Sequence, residues 1–399
     1  MRIALVSLDY WPWRSSGLAI YAEDLARGLH ERGHTITVLA ARRPGTAAVA
    51  QQAGITVRRV PIDQSDWIGY SARAARHLVT LEREAPFEIV HFLDLHFAYA
   101  YPGPFVASLW QSFRQRLTAD GGRPYASSWR NYLVRSSYYR LARHWIEPHC
   151  LRRAGQLITA CDSTTHEFIQ HYGVAPERIG RAVQGTDLAA LQPQAVNALR
   201  ERLGLEGRQV LLFVGFATAR KGLEHLALAM RQLPTEVVWL IVGRWEAGYR
   251  ARVLAALGPA RDRVREIGPI SDAERASYYA LADIYVSPSL LEGFGLTPIE
   301  AQACGTPAIV TASSSGYEEV GPYGLVVPAR DPAALARAIR VLLANPALRA
   351  NLGARAQARV HAQFSYQAMA AQTEALYHAF MARSSATQTA SCSTKLIPG

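Results

Sequence analysis

Lysine is almost missing from this chain. Of 43 basic residues in 399, only Lys221 and Lys395 are lysines. The chain defaults to arginine, so a lysine inside a folded segment marks a place where a compact, point-like cation is wanted. Cysteine is scarce too: Cys150, Cys161, Cys304 and Cys392 are scattered, without C-x-x-C spacing. That pattern argues against a disulfide framework or a zinc site and fits a reducing cytoplasm. No apolar run reaches the length of a membrane span, and the first residues lack the cationic and apolar regions of a secretory leader. There is no internal repeat and no nucleic-acid-binding motif. The net charge of +11 therefore selects anionic small molecules or an anionic membrane surface as partners, not nucleic acid.

What remains is an ordinary globular composition, 49% hydrophobic with a mean hydropathy of −0.02. The length exceeds what one core supports, so two domains are expected. Short apolar runs alternate with helical patterns: residues 3–8, 34–40, 56–61, 88–93, 105–109 and 156–160, then 210–214, 237–242, 264–267, 284–286, 308–311 and 325–327. Such alternation predicts an α/β fold, two parallel sheets each covered on both faces, with ligands at the carboxyl ends of the strands. A polar linker from residue 188 divides a first domain, 1–187, from a second, 188–365. A helix over 366–383 follows, and the Ser/Thr/Ala-rich tail 384–399 is expected to be disordered.

Residues 283–307, DIYVSPSLLEGFGLTPIEAQACGTP, are the most informative stretch. A strand leads through a turn to Gly293, Phe294, Gly295 and Leu296. Thr297, Pro298 and Glu300 then read as a capping box that starts a helix. Backbone N–H groups of a glycine-rich loop at a helix start form an anion seat. Glu292 and Glu300 flank that seat eight positions apart, and carboxylates beside a phosphate site serve hydroxyl groups. A second stretch, VGFATARKG at 214–222, joins a strand to a helix with Leu223, Leu226 and Met230 on its apolar face. Arg220 and Lys221 thus stand at a helix N-terminus, where two cations are unfavourable until an anion binds.

Together these stretches resemble the E-x7-E signature of retaining glycosyltransferases of family 4 (glycosyl transferases group 1). The shared features are both glutamates, the loop glycines, Pro298, the exit Gly305-Thr306-Pro307, and Gly215 with Lys221 six positions on. The resemblance implies the GT-B fold: two Rossmann-like domains facing across a cleft, with the last helix crossing back to the first domain. It implies a nucleotide diphosphate sugar as donor, a UDP- or GDP-sugar, whose diphosphate would be held by Arg220 and Lys221 and its ribose by Glu300. Glu292 would face the sugar, and Gly17 and the glycine loop would take the donor closely. No cofactor or metal is implied, and no Asp-x-Asp stands at a strand end.

The chain departs from the family pattern in three places. Ser16-Gly17 replaces a Gly-Gly, Phe216 stands where many members have arginine, and Trp110 with Gln111 stands where many have a histidine. His96, beside Asp94, is a candidate to approach the acceptor instead.

Residues 99–153 carry nine arginines, two acidic residues and many aromatics, among them Tyr125 and Trp129. That composition suits an anionic lipid surface or a lipid-phosphate acceptor, and equally a solvated arginine face over a core-facing aromatic stripe. The expected acceptor is a glycan, lipid-linked or small molecule, and the expected location is cytoplasmic, peripheral on the inner membrane face. Competing readings are an epimerase of the same architecture, a glycoside hydrolase using paired carboxylates, and a non-catalytic nucleotide-sugar-binding protein.

Overall fold

The strand-forming run Val237–Val242, apolar at every position, is buried along its whole length, as is Ile89–Phe92 with its one histidine. That is the pattern of parallel strands covered by helices on both faces. The computed structural model describes residues 1–13, 16–62, 67–118, 129–313 and 315–393, with backbone only at 67, 131 and 384–393. Two sheets organise it.

The first, in spatial order, comprises Val49–Gln52, Ile55–Pro61, Thr35–Arg42, Arg2–Val6, Ile89–Phe92, Val106–Leu109, Gln156–Thr159 and Ile179–Arg181. Only the edge strand Val49–Gln52 runs antiparallel. The second comprises Val264–Gly268, Val237–Val242, Gln209–Val214, Ile284–Ser287, Ala308–Thr311 and Leu325–Val327, all parallel. The expected α/β architecture is present. The two strands that the apolar pattern misses, Val49–Gln52 and Ile179–Arg181, are short, polar and lie at or beside an edge, where burial imposes no apolar run.

The chain passes between the sheets twice, and the two crossings lie side by side. Thr186 N–H donates to Phe364 O at 2.9 Å, and Tyr366 N–H returns a bond to Thr186 O at 3.1 Å. Gly185 permits the approach, because a Cβ there would stand 2.2 Å from Ser365 O. The last helix, Tyr366–Ser393, then packs on the first-sheet helix Gly17–Glu31, with Gly28 against Ala370. Tyr377 reaches the buried His91 at 2.7 Å, and burial holds His91 neutral, at about 3. Residues 384–393, expected to be disordered, continue this helix, since nothing before Pro398 breaks it. The end of that tail, 394–399, lies outside the described residues, as does Tyr125. No helix among the described residues is long and apolar enough to cross a membrane.

Candidate functional site

The two informative stretches are stitched together at the strand ends of the second sheet. Leu290 N–H donates to Arg220 O at 2.7 Å. Gly222 has φ +62°, and a Cβ there would lie 2.3 Å from Pro288 O, so glycine is required twice over. Gly215, at φ +141°, lets the strand end Val214 turn beside Gly243.

Between the stretches sits a compact charge cluster. Lys221 Nζ binds Glu292 Oε1, and Arg220 binds Glu292 Oε2 and Leu291 O, each at 3.0 Å. Ser289 Oγ donates to Glu292 Oε1 at 2.8 Å. Burial alone would raise the Glu292 carboxyl, but Lys221 and Arg220 outweigh it and hold it at about 2. Burial pulls Lys221 below its ordinary value, and Glu292 opposes that pull. The Lys221 side chain is 13% exposed and the Arg220 side chain 44%, so Arg220 is the end that solvent reaches. Two cations thus share one carboxylate, and the outer one faces solvent.

The glycine loop differs from its expectation. The helix begins at Leu296 with Gly295 in the cap position, and no side chain caps it. Thr297 instead accepts from the Tyr285 hydroxyl at 2.7 Å. Glu300 is buried inside the helix, where it accepts from the Tyr279 hydroxyl at 2.7 Å and lies 3.4 Å from Arg275. The capping box is therefore absent, because an acid from elsewhere does its work. Glu319, 24 residues downstream, accepts the Gly295 N–H at 2.6 Å and binds the Ser315 hydroxyl. That N–H, expected to await a phosphate, is already bonded. A Cβ on Gly295 would stand 2.7 Å from the Glu319 carboxylate, so the loop glycine is fixed by this contact. Burial, reinforced by Glu292, raises Glu319 to about 7. Sequence reading passed over Glu319. Its only sequence signal is a glutamate pair beside a glycine just after an apolar strand.

The first domain supplies the opposite wall. Trp110 and Gln111 lie against the loop: a Cβ on Gly293 would lie 3.3 Å from Trp110 Cβ, and Gln111 Nε2 reaches Leu291 O at 3.4 Å. Trp110 is itself fixed by Leu93 O at 2.7 Å and by an edge contact to Tyr21. Cys161 Sγ lies 3.2 Å from Gly293 O. The Phe294 ring stacks on Phe364, and Leu296 is buried at the helix start; the side chains of both pack against protein. Gly17 opens the helix Gly17–Glu31 and has no atom within 4 Å of a would-be Cβ, which leaves room for a close ligand.

His96 and Asp94 are not part of this wall. They lie inside the first domain, where His96 Nδ1 is 2.5 Å from Asp94 and Nε2 is 3.3 Å from Glu147. The His96 ring packs 4.4 Å from Phe113. Burial would lower the imidazole, but Asp94 and Glu147 overcome this and raise it to about 9. The expectation that His96 approaches an acceptor is corrected, because both ring nitrogens meet buried carboxylates. Among the described residues no group of three His, Cys, Asp or Glu side chains is placed to hold a metal ion.

Residues 196–359 match the family model described as Glycosyl transferases group 1, and residues 15–189 match that described as Glycosyltransferase Family 4. A D-inositol 3-phosphate glycosyltransferase of Geodermatophilus obscurus is 30% identical over 422 residues, covering 96% of this chain and 88% of that protein. A second protein of that name, from Kineococcus radiotolerans, is 32% identical over 262 residues, and the match spans 58% of either chain. Among solved structures, sucrose-phosphate synthase from Thermosynechococcus elongatus superposes with a TM-score of 0.82 at 24% identity, over 96% of this chain and 99% of that one.

Proposed function

The chain belongs to glycosyltransferase family 4, and from that premise we propose that it is a retaining hexosyltransferase using a nucleotide diphosphate sugar, a UDP- or GDP-sugar. The observation that carries the proposal is the cluster of Arg220, Lys221 and Glu292, set between two glycine turns and opposite Trp110. Glu292 holds two cations in place without neutralising them both. A diphosphate entering beside the exposed Arg220 meets a preorganised positive charge. As the glycosidic bond lengthens, negative charge grows on the leaving diphosphate, and Arg220 and Lys221 stabilise it without reorganising, so no metal is needed in that role. Gly17 gives the donor close access to the first-domain helix, and Glu300 is the carboxylate assigned to the ribose. Trp110 and Gln111 are the first-domain residues assigned to the acceptor side, in contact with the loop.

The proposal is tested by thermal shift against UDP, GDP and ADP, followed by turnover of the matching sugar nucleotides with and without acceptor. Stabilisation by UDP or GDP with acceptor-dependent turnover supports it. Turnover without acceptor points to a hydrolase, and binding without turnover to a non-catalytic protein.

A specific surface favours a lipid-linked acceptor. The helical run Trp129–Leu141, Ala142–Ile146 and Glu147–Arg153 leaves Trp129, Leu133, Val134, Leu141 and Trp145 exposed, interleaved with Arg130 and Arg140. Each arginine near an anionic membrane contributes on the order of 1 kcal/mol, and the aromatic rings suit the headgroup layer. Sedimentation with anionic vesicles should show salt-sensitive binding that falls when Arg130, Arg140 and Arg143 are neutralised. No binding at low salt removes the membrane surface from the proposal.

A further inference from the structure

The short helix Gly316–Val320 carries two consecutive glutamates that serve different domains. Glu319 holds the Gly295 N–H of the second-domain loop. Glu318 crosses to the first domain and accepts the N–H groups of Asp162 at 2.8 Å and Ser163 at 3.0 Å. Those two residues open the helix Asp162–Tyr172, whose own cap residue, Cys161, makes no side-chain capping bond. Arg181 ties the contact from the first domain, 2.9 Å from Glu318 and 2.7 Å from Asp162. Arg359, from the helix Pro346–Gln363, fixes the carbonyls of both glutamates at 2.6 and 2.9 Å. Adjacent residues in one helical turn cannot move independently, since their Cα atoms are about 3.8 Å apart. Whatever displaces Glu318 displaces Glu319 and, through it, the loop that carries Glu292 and Gly293.

We infer that Glu318 is a positioning residue. Its bond to the first-domain helix makes the geometry of the loop Glu292–Gly295 conditional on docking of the two domains. The site would then be assembled only when Trp110, Gln111 and Cys161 stand over the loop. The same docking that brings the acceptor wall also sets the donor loop. The inference rests on the glycosyltransferase reading only where activity is the readout.

Glu318→Ala and Glu318→Gln in the full chain test it by small-angle scattering, calorimetric titration with UDP and GDP, and transfer kinetics. Glu318→Ala should raise the radius of gyration and lower kcat roughly tenfold or more, as expected when reacting groups lose alignment, with a smaller loss of nucleotide affinity and no fall in Tm to match it. Glu318→Gln keeps one acceptor oxygen and loses the pairing with Arg181, so it should fall between wild type and Glu318→Ala in both scattering and kcat. Wild-type scattering and kcat in Glu318→Ala overturn the inference. So does a loss of nucleotide affinity in step with a fall in Tm, which marks a merely structural role. If the wild-type chain turns over no sugar nucleotide, the glycosyltransferase reading fails while the scattering comparison still decides the inference.

Discussion

Two of the charge clusters among the described residues, one in each domain, differ in how far solvent reaches them. In the first domain His96 lies between Asp94 and Glu147, with Phe113 against the ring and the Glu147 side chain wholly buried. Glu147 also accepts from Phe113 N–H at 2.9 Å and from the Tyr172 hydroxyl at 2.5 Å. Both Glu147 oxygens have protein partners, and the His96 side chain is 8% exposed. In the second domain two cations share Glu292, and the outer one, Arg220, is half in solvent. A buried cluster whose members are held by one another serves the fold. An open cluster with a solvent-reached cation is the one proposed to hold a ligand. Residue type alone does not separate them, since a histidine beside an aspartate reads as chemistry in any sequence.

The sharpest way to break this contrast is to remove one member from each side. Glu147→Ala leaves His96, the Phe113 N–H and the Tyr172 hydroxyl without their buried partner, and should cost about 3–5 kcal/mol in denaturant unfolding. Activity per folded molecule should not change. A Glu147→Ala protein that is fully folded yet slow would place the first cluster in the site after all. Lys221→Ala should do the reverse. Removing one preorganised charge typically lowers kcat roughly 10²–10³-fold, while Glu292 keeps Arg220 and Ser289 and the fold survives. Near-normal kcat in that variant would end the assignment of Lys221.

Glu300 lies between the two types, because it is both buried and assigned to the donor. Without a capping role, its substitution removes the acceptor of the Tyr279 hydroxyl and one of the carboxylates beside Arg275, which keeps Asp272. Glu300→Ala should therefore cost about 1–3 kcal/mol of stability and weaken nucleotide binding in calorimetry. Glu292→Gln should instead spare nucleotide affinity and lose transfer. Equal loss of affinity in both variants would erase the division of labour between the glutamates.

The sequence was legible wherever a physical requirement is local. Continuous burial writes continuous apolar runs, so central strands such as Gln209–Val214 stand out, while the edge strand Val49–Gln52 does not. Close backbone approach writes glycine, which marks Gly215, Gly222 and the loop at Gly293. The one lysine among the described residues falls in the charge cluster. What stayed hidden depends on partners distant in sequence. Glu147 lies 51 residues from His96 and turns an acceptor-side candidate into a structural ion. Glu319 replaces a cap that Thr297 and Glu300 seemed to provide. Position within the cluster has no local trace either: nothing in sequence near Glu292 announces that Arg220 and Lys221 both bind it.

Glu319 gives the finest test of the contrast, because it is a buried acid at the open cluster that is held towards its neutral form. In the buried cluster Asp94 is pressed by burial, yet His96 outweighs this and lowers it to about 2. At the open cluster, burial and the nearby Glu292 charge push Glu319 up to about 7, and Lys221 offsets little of it. A carboxyl whose pKa is raised on folding binds its proton more tightly in the native state. Its contribution to stability is complete below the unfolded value near 4.5 and is lost as pH rises through about 7. Glu319→Gln cannot titrate, and it keeps an oxygen to accept the Gly295 N–H. The stability difference between wild type and Glu319→Gln, from denaturant midpoints, should shift against the wild type by on the order of 1 kcal/mol between pH 6 and pH 8. A saturating nucleotide diphosphate brings negative charge beside Lys221 and should move that loss to higher pH. A difference independent of pH would mean that Glu319 is ionised throughout.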